Sequence, residues 1–298
     1  MIDGKTKTCG LLGYPVEHTL SPLIHNTIAE AMGHNLEYLP FLVGEDRVKE
    51  AVEGAAALSI HGLNVTVPHK QAVIPYLMDI DPLAQKIGAV NTLVPQYRED
   101  GTVAGFKGYN TDMTGLSRAM QKEGMTIQDK DAILLGAGGA ARAVAFMLAS
   151  QGAKSVHILN RSVDKAQAIA DEVNTAMEFD TPLIFASALS DFAKLAGKQY
   201  LCIQCTSVGL HPHNDQVVIE DPAFYQMIDE AVDIIYKPAN TRFMQLCKAA
   251  GVTKVCNGLG MLLYQGIDAY ELWNQVHVED ALCDRIYELM KEKTKVEE

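Results

Sequence analysis

Short apolar runs alternate with longer amphipathic segments along the whole chain. In the first third, Cys9 to Leu12, Leu36 to Leu42 and Gly62 to Val67 read as strands, while Pro22 to Met32 and Val48 to Leu58 carry the wider apolar spacing of helices. Asp81-Pro82 suits a helix start that Ala84 to Ile87 continues, and Asn91 to Pro95 pairs with Val103 to Phe106 as a hairpin across Glu99-Asp100-Gly101. Gly108 to Asp112 reads as a turn. From Asp131 the rhythm becomes a plain β-α-β series: strand Ala132 to Leu135, helix Ala141 to Ser150 closed by Gly152, strand Val156 to Leu159 and helix Val163 to Val173. Further strands are expected at Leu183 to Ala186, Leu201 to Gln204, Ala231 to Ile234 and Thr253 to Val255, and Met261 to Lys291 is helical throughout.

This pattern predicts an α/β protein of two lobes. An N-terminal α/β lobe covers 1–115 and is completed by C-terminal helices within 258–298; a Rossmann-like, doubly wound dinucleotide-binding domain covers 116–257, with a cleft between the two. The length, 298 residues at 48% hydrophobic, agrees, being above the size where a single core usually divides.

Charge narrows the partners. The formal net charge is −12 and the basic residues form no run or stripe, so neither nucleic acid nor an anionic membrane is an expected partner. Met1 to Thr8 is polar and no stretch approaches the roughly 18 apolar residues of a membrane helix, which points to a soluble cytoplasmic protein. The six cysteines show no disulfide framework. Cys202 and Cys205 match C-x-x-C but lie in an apolar strand where packing explains them, and His211-Pro212-His213 lacks a third ligand at zinc-like spacing, so no metal is expected.

Three segments carry chemistry. Asn64-Val-Thr-Val-Pro-His-Lys70 places an amide, a hydroxyl and an ammonium at the mouth of a strand, where open α/β sheets bind small ligands. Asp112 offers a carboxylate. Asp131-Ala-Ile-Leu-Leu-Gly-Ala-Gly-Gly-Ala-Ala-Arg142 is a strand, a glycine turn and a helix whose first amides can face a pyrophosphate. An amine, an acid and a dinucleotide cradle suggest hydride transfer to or from a hydroxyl. The following strand ends in Asn160-Arg161-Ser162 rather than in the acidic residue that takes the ribose 2′-hydroxyl in NAD binders. Arg161, with Lys165 one turn on, suits a 2′-phosphate and favours NADP; Asp164 keeps NAD as the alternative. Thr19 and Ser21 put two hydroxyls at the start of the helix that Pro22 opens, a natural carboxylate receptor, although Ser21 alone reads as that helix's cap.

Taken with Gly88-Ala-Val-Asn91, Tyr109-Asn-Thr-Asp112 and Asn257-Gly-Leu-Gly-Met-Leu-Leu-Tyr-Gln265, these motifs stand in the order found in shikimate dehydrogenases, and the chain resembles that family from end to end. The resemblance implies reversible reduction of 3-dehydroshikimate to shikimate with NADPH, on a fold whose N-terminal α/β lobe is the substrate-binding lobe and whose Rossmann-like lobe binds NADP. It implies Lys70 as the proton-transfer residue with Asp112 beside it, Thr19, Ser21 and Tyr236 on the substrate carboxylate, and Asn64, Thr66, Asn91 and Gln265 on the ring hydroxyls. On the cofactor side it implies Gly136, Ala137, Gly138, Gly139, Ala140, Asn160, Arg161, Ser162, Lys165, Thr206, Ile234, Gly258 and Met261. Two departures stand out. Thr19 replaces the first serine of the usual Ser-x-Ser, narrowing the carboxylate end, and Gln204-Cys205 replaces Asn-Ala ahead of Thr206-Ser207. A quinate/shikimate dehydrogenase using NAD or NADP is the near alternative; a non-catalytic sensor and a folate-pathway dinucleotide enzyme are further ones. A homodimer is left open, and Lys107 has no assigned role.

Overall fold

The computed structural model describes residues 2–296. The chain divides into two compact units. One runs to Gly115 and resumes at Leu262; the other is Leu116–Met261.

The first unit is built on a six-stranded mixed sheet of β1 (Lys7–Gly13), β2 (Leu36–Leu42), β3 (Gly62–Val65), β4 (Asp79–Ile80), β5 (Thr92–Tyr97) and β6 (Val103–Tyr109), in the order β2-β1-β3-β5-β6-β4. β1 runs parallel to β2 and β3, and β5 is antiparallel to both β3 and β6. The predicted hairpin between β5 and β6 is present. Asp100 Oδ1 accepts from the Thr102 amide at 2.9 Å and Gly101 takes the left-handed conformation at φ 81°, the chemistry that closes such a turn. Leu63, Val65, Leu93 and Phe106 pack with Val48 and Val52 of the helix Val48–Ala57 in one buried cluster. On β3, a Cβ at Gly62 would fall 2.4 Å from the Trp273 ring, so that glycine lets the indole lie directly on the strand, where Nε1 donates to Leu93 O at 2.9 Å.

Three local expectations need correction. Gly108–Asp112 is not a turn throughout: Thr111 begins a helix that runs to Lys122, with Asp112 in its first turn. Ser21 does not cap the helix Ser21–Ala31; it is the first helical residue, and its own amide donates to Thr19 Oγ1 at 3.2 Å. The closing helical stretch is two helices, Leu259–Asn274 and Asp280–Val296, interrupted where Gln275 adopts φ 53° and Glu271 Oε1 accepts from the Val278 amide. Lys107, unassigned from sequence, pairs with Asp79 at 2.7 Å.

The second unit is the doubly wound one. Its strands are β7 (Asp131–Leu135), β8 (Ser155–Asn160), β9 (Ile184–Ala188), β10 (Tyr200–Gln204), β11 (Ile228–Asp233) and β12 (Lys254–Cys256), all parallel in the order β12-β11-β10-β7-β8-β9. Ala132 to Leu135 have no exposed surface, as expected of a strand covered on both faces. Chain order reverses between β7 and β10, which makes the carboxyl ends of these two strands the switch point where such sheets bind ligands. Cys202 and Cys205 are buried there with raised thiol pKa values caused by burial. Among the described residues, no helix is long and apolar enough to cross a membrane.

Candidate active site

In the first unit, β3 stops at Val65 and the chain enters the short helix His69–Ala72. Pro68 has no N–H with which to prolong the ladder. Two anchors fix the segment: the buried His69 donates from Nε2 to Val43 O at 2.7 Å, and the Val90 amide donates to Lys70 O at 2.8 Å. Lys70 Nζ thereby reaches Asp112 Oδ2 at 2.7 Å, the two side chains being 30% and 17% exposed. An ammonium and a carboxylate in partial contact with water form a proton donor with a fixed direction, the arrangement an oxygen taking up negative charge requires.

The neighbouring polar side chains are held by one another. Asn91 Oδ1 accepts from the Thr111 amide at 2.7 Å and from Thr111 Oγ1 and Thr92 Oγ1, both at 3.1 Å. Its Nδ2 is the end left to meet a ligand. Thr66 is half-buried, its methyl packed over Gly13, where a Cβ would sit 2.3 Å away. Gln265 is buried and donates to Leu262 O at 2.9 Å. It lies against the helix bearing Asp112, because a Cβ on Gly115 would be 2.4 Å from the Gln265 amide nitrogen. Thr19 Oγ1 donates to Ser21 Oγ at 3.1 Å, so the two predicted carboxylate binders stand together. Asn64 is 3% exposed, and its amide is hydrogen-bonded to Tyr38, His25, Asn91 and Thr92. Tyr236 belongs to the second unit, three residues beyond β11, and is half-buried.

Within the second unit, the glycine turn leaves β7 through Gly136, whose φ is 106° and whose absent Cβ would meet the Thr206 methyl at 2.7 Å. Thr206 and the turn therefore face each other across the β7/β10 switch point. Gly138 and Gly139 have nothing within 4 Å of their Cβ positions, so packing within the protein does not require them to be glycine. They keep the start of the helix Gly139–Ser150, which has no side-chain cap, open to a phosphate. These residues fit a dinucleotide. At the end of β8, Asn160 Nδ2 donates to Ser162 O at 2.9 Å, and Arg161, Ser162 and Lys165 are exposed. Gly258 approaches β11 closely: a Cβ there would be 2.0 Å from Ile234 O, which brings Ile234, Gly258 and the following turn with Met261 to one place.

Sequence reasoning missed the support beneath this turn. Gln204 accepts from the Thr206 amide and donates to Thr206 O, Val208 O and Asp233 Oδ1, each at 3.3 Å, which explains a glutamine where the family commonly has asparagine. Asp233 also accepts from Thr241 Oγ1 at 2.6 Å and from the Ile235 amide at 3.0 Å. Burial pushes its carboxyl up to about 6 against these three hydrogen bonds. Polar residues at the ends of otherwise apolar strands were the available signal.

Residues 11–93 match the substrate-binding domain model of shikimate dehydrogenase, and residues 118–207 match the shikimate/quinate 5-dehydrogenase model. The shikimate dehydrogenase (NADP(+)) of Desulforamulus reducens is 43% identical over 281 residues, covering 91% of each chain. The chain belongs to the shikimate dehydrogenase family. Solved structures within the family agree over nearly the full length. A shikimate dehydrogenase in complex with NADP+ superposes with a TM-score of 0.84 at 38% identity, covering 96% of each chain. The Listeria monocytogenes shikimate 5-dehydrogenase, solved with shikimate and NAD, gives 0.86 at 32% identity, covering 97% of this chain and 98% of that one.

Proposed function

We propose that this protein catalyses the reversible NADPH-dependent reduction of 3-dehydroshikimate to shikimate, with the first unit binding the substrate and the second the cofactor, in the cytoplasm. The observation that carries this reading is the 2.7 Å contact between Lys70 Nζ and Asp112 Oδ2. NADPH, when bound, supplies the hydride. The ketone oxygen gains negative charge as the hydride arrives, and Lys70 neutralises that oxygen and gives it a proton. Asp112 accepts a hydrogen bond from Lys70, holding the ammonium in place, and in the oxidative direction draws it back into position once the alcohol proton has been taken up. Asn91, through Nδ2, with Thr66 and Gln265 orients the ring hydroxyls. Thr19 and Ser21 donate to the ring carboxylate, with Tyr236 as a further donor.

On the cofactor side, Gly136 to Ala140 cradle the pyrophosphate, with Thr206, Ile234, Gly258 and Met261 lining the same site. Asn160, Arg161, Ser162 and Lys165 take the adenosine end, where two cations against the single carboxylate of Asp164 favour a 2′-phosphate. Steady-state rates with shikimate and with quinate, each with NADP+ and NAD+, test the assignment. The highest kcat/KM is expected for shikimate with NADP+; a preference for quinate with NAD+ overturns it.

A further inference from the structure

Asn64 has nothing left to offer a ligand. A side-chain amide has two acceptor lone pairs and two N–H donors. Here Oδ1 accepts from Tyr38 Oη at 2.8 Å and from His25 Nε2 at 3.1 Å, while Nδ2 donates to Asn91 O at 3.3 Å and Thr92 Oγ1 at 3.1 Å. All four valences are filled, and the residue is 3% exposed. Its two donors are fixed in turn. The His25 ring stacks on Tyr38 with centroids 4.1 Å apart and planes 10° apart, and both side chains are fully buried. His25 Nε2 faces the Asn64 oxygen while Nδ1 has no partner among the described residues, so the neutral tautomer with its proton on Nε2 is the one that leaves no buried N–H unpaired. Tyr38 and His25 therefore present two donors to one point, and only the oxygen of the Asn64 amide can occupy it.

That orientation propagates. With Oδ1 toward Tyr38, Nδ2 must face Thr92, whose Oγ1 accepts from it and is left to donate onward to Asn91 Oδ1 at 3.1 Å or to Thr111 Oγ1 at 2.9 Å. Asn91 Oδ1 also takes the Thr111 amide, so reversing the Asn91 side chain would set N–H against N–H. We propose that Asn64 is a positioning residue rather than a substrate ligand: Tyr38 and His25 hold its amide in one sense, and through the Thr92 hydroxyl that sense reinforces the Thr111 amide in keeping Asn91 Oδ1 inward and Nδ2 toward the substrate. This deepens the functional reading above and rests on it.

Two variants break the relay without opening a cavity: Tyr38→Phe removes the donor to Asn64 together with that hydroxyl's bond to Ser21, and Thr92→Val removes the bridging hydroxyl at constant shape. Each is expected to lower kcat/KM for shikimate about 3- to 10-fold, the ordinary worth of one hydrogen bond. KM for NADP+ stays at the wild-type value. In an Asn91→Ala background Thr92→Val alters kcat/KM by less than about twofold, because the group it orients is gone. A loss that adds in full in that background overturns the relay. A crystal structure of the shikimate complex provides a test independent of how well the variants fold. The expected result is Asn64 still bonded to Tyr38, His25 and Thr92, with Asn91 Nδ2 on a ring oxygen; a ring oxygen within about 3.2 Å of the Asn64 amide overturns the proposal. A wild-type enzyme that does not oxidise shikimate with NADP+ at all would sink the functional reading instead, so the two failures are distinguishable.

Discussion

Replacing Lys70 by alanine removes the ammonium that is hydrogen-bonded to Asp112 and, with it, both the charge and the proton that a forming alcohol oxygen needs. The two side chains are 30% and 17% exposed, so water competes with the pair and its loss costs the fold less than about 1 kcal/mol. The rate should respond far more strongly. A positioned proton donor contributes roughly 10²- to 10⁴-fold. That range is about 3–5 kcal/mol of barrier, several times the expected change in stability. Because Lys70 is assigned to the reacting oxygen, and Asn91, Gln265, Thr19 and Ser21 to binding, the loss belongs in kcat and not in KM. Turnover of shikimate with NADP+ would be followed by NADPH absorbance, with shikimate affinity measured separately by calorimetry and folding by thermal unfolding. The expected outcome is a melting temperature within a few degrees of the parent, affinity within about threefold and kcat lowered by at least about 10². A variant that folds, binds and keeps kcat within tenfold of the parent refutes the assignment of Lys70 as proton donor.

Other consequences are equally direct. Gly136→Ala forces a Cβ to within 2.7 Å of the Thr206 methyl at a φ of 106°, so it should cost about 1–3 kcal/mol in urea unfolding and raise KM for NADP+ more than that for shikimate. Arg161→Ala should raise KM for NADP+ about tenfold or more while leaving KM for NAD+ nearly unchanged; an equal rise for both would remove Arg161 from the 2′-phosphate. Asp233 carries a pH signature. Its folded-state value, raised to about 6 from 3.8, means that the native state binds the extra proton between these values, so stability falls as pH rises through that window. The decline amounts to about 3 kcal/mol, and in Asp233→Asn it should be absent when unfolding free energies at pH 4 and pH 7 are compared.

The parts of the fold visible in sequence were those set by local pattern. Ala132 to Leu135 is uninterrupted apolar, and the glycine turn after it needs no tertiary information to be recognised. Lys70 was legible for the same reason, since Val65, Pro68 and the residue types around them mark where a strand must stop. Asp112 was identified while its helix was not: Thr111 to Lys122 is polar and contains Gly115, which weakens a helix in isolation. Its justification is the backbone of Gln265 lying against it, a contact between segments 150 residues apart in sequence. The break at Gln275 was hidden in the same way, because nothing in Asn274 to Glu279 opposes a helix as strongly as proline would. Asn64 shows the opposite case. Its motif marked it as important, but only the positions of His25, Tyr38 and Thr92 reveal what it touches.

Trp273 is the chain's single tryptophan, and it lies 5% exposed on β3 with its nitrogen bonded to Leu93 O. Excitation selective for indole therefore reports on one unit and is blind to the other. Emission from this protein tracks the melting of the mixed sheet alone, whereas far-ultraviolet dichroism registers both units, so any gap between the two denaturation curves measures how far the sheets unfold as separate cooperative bodies.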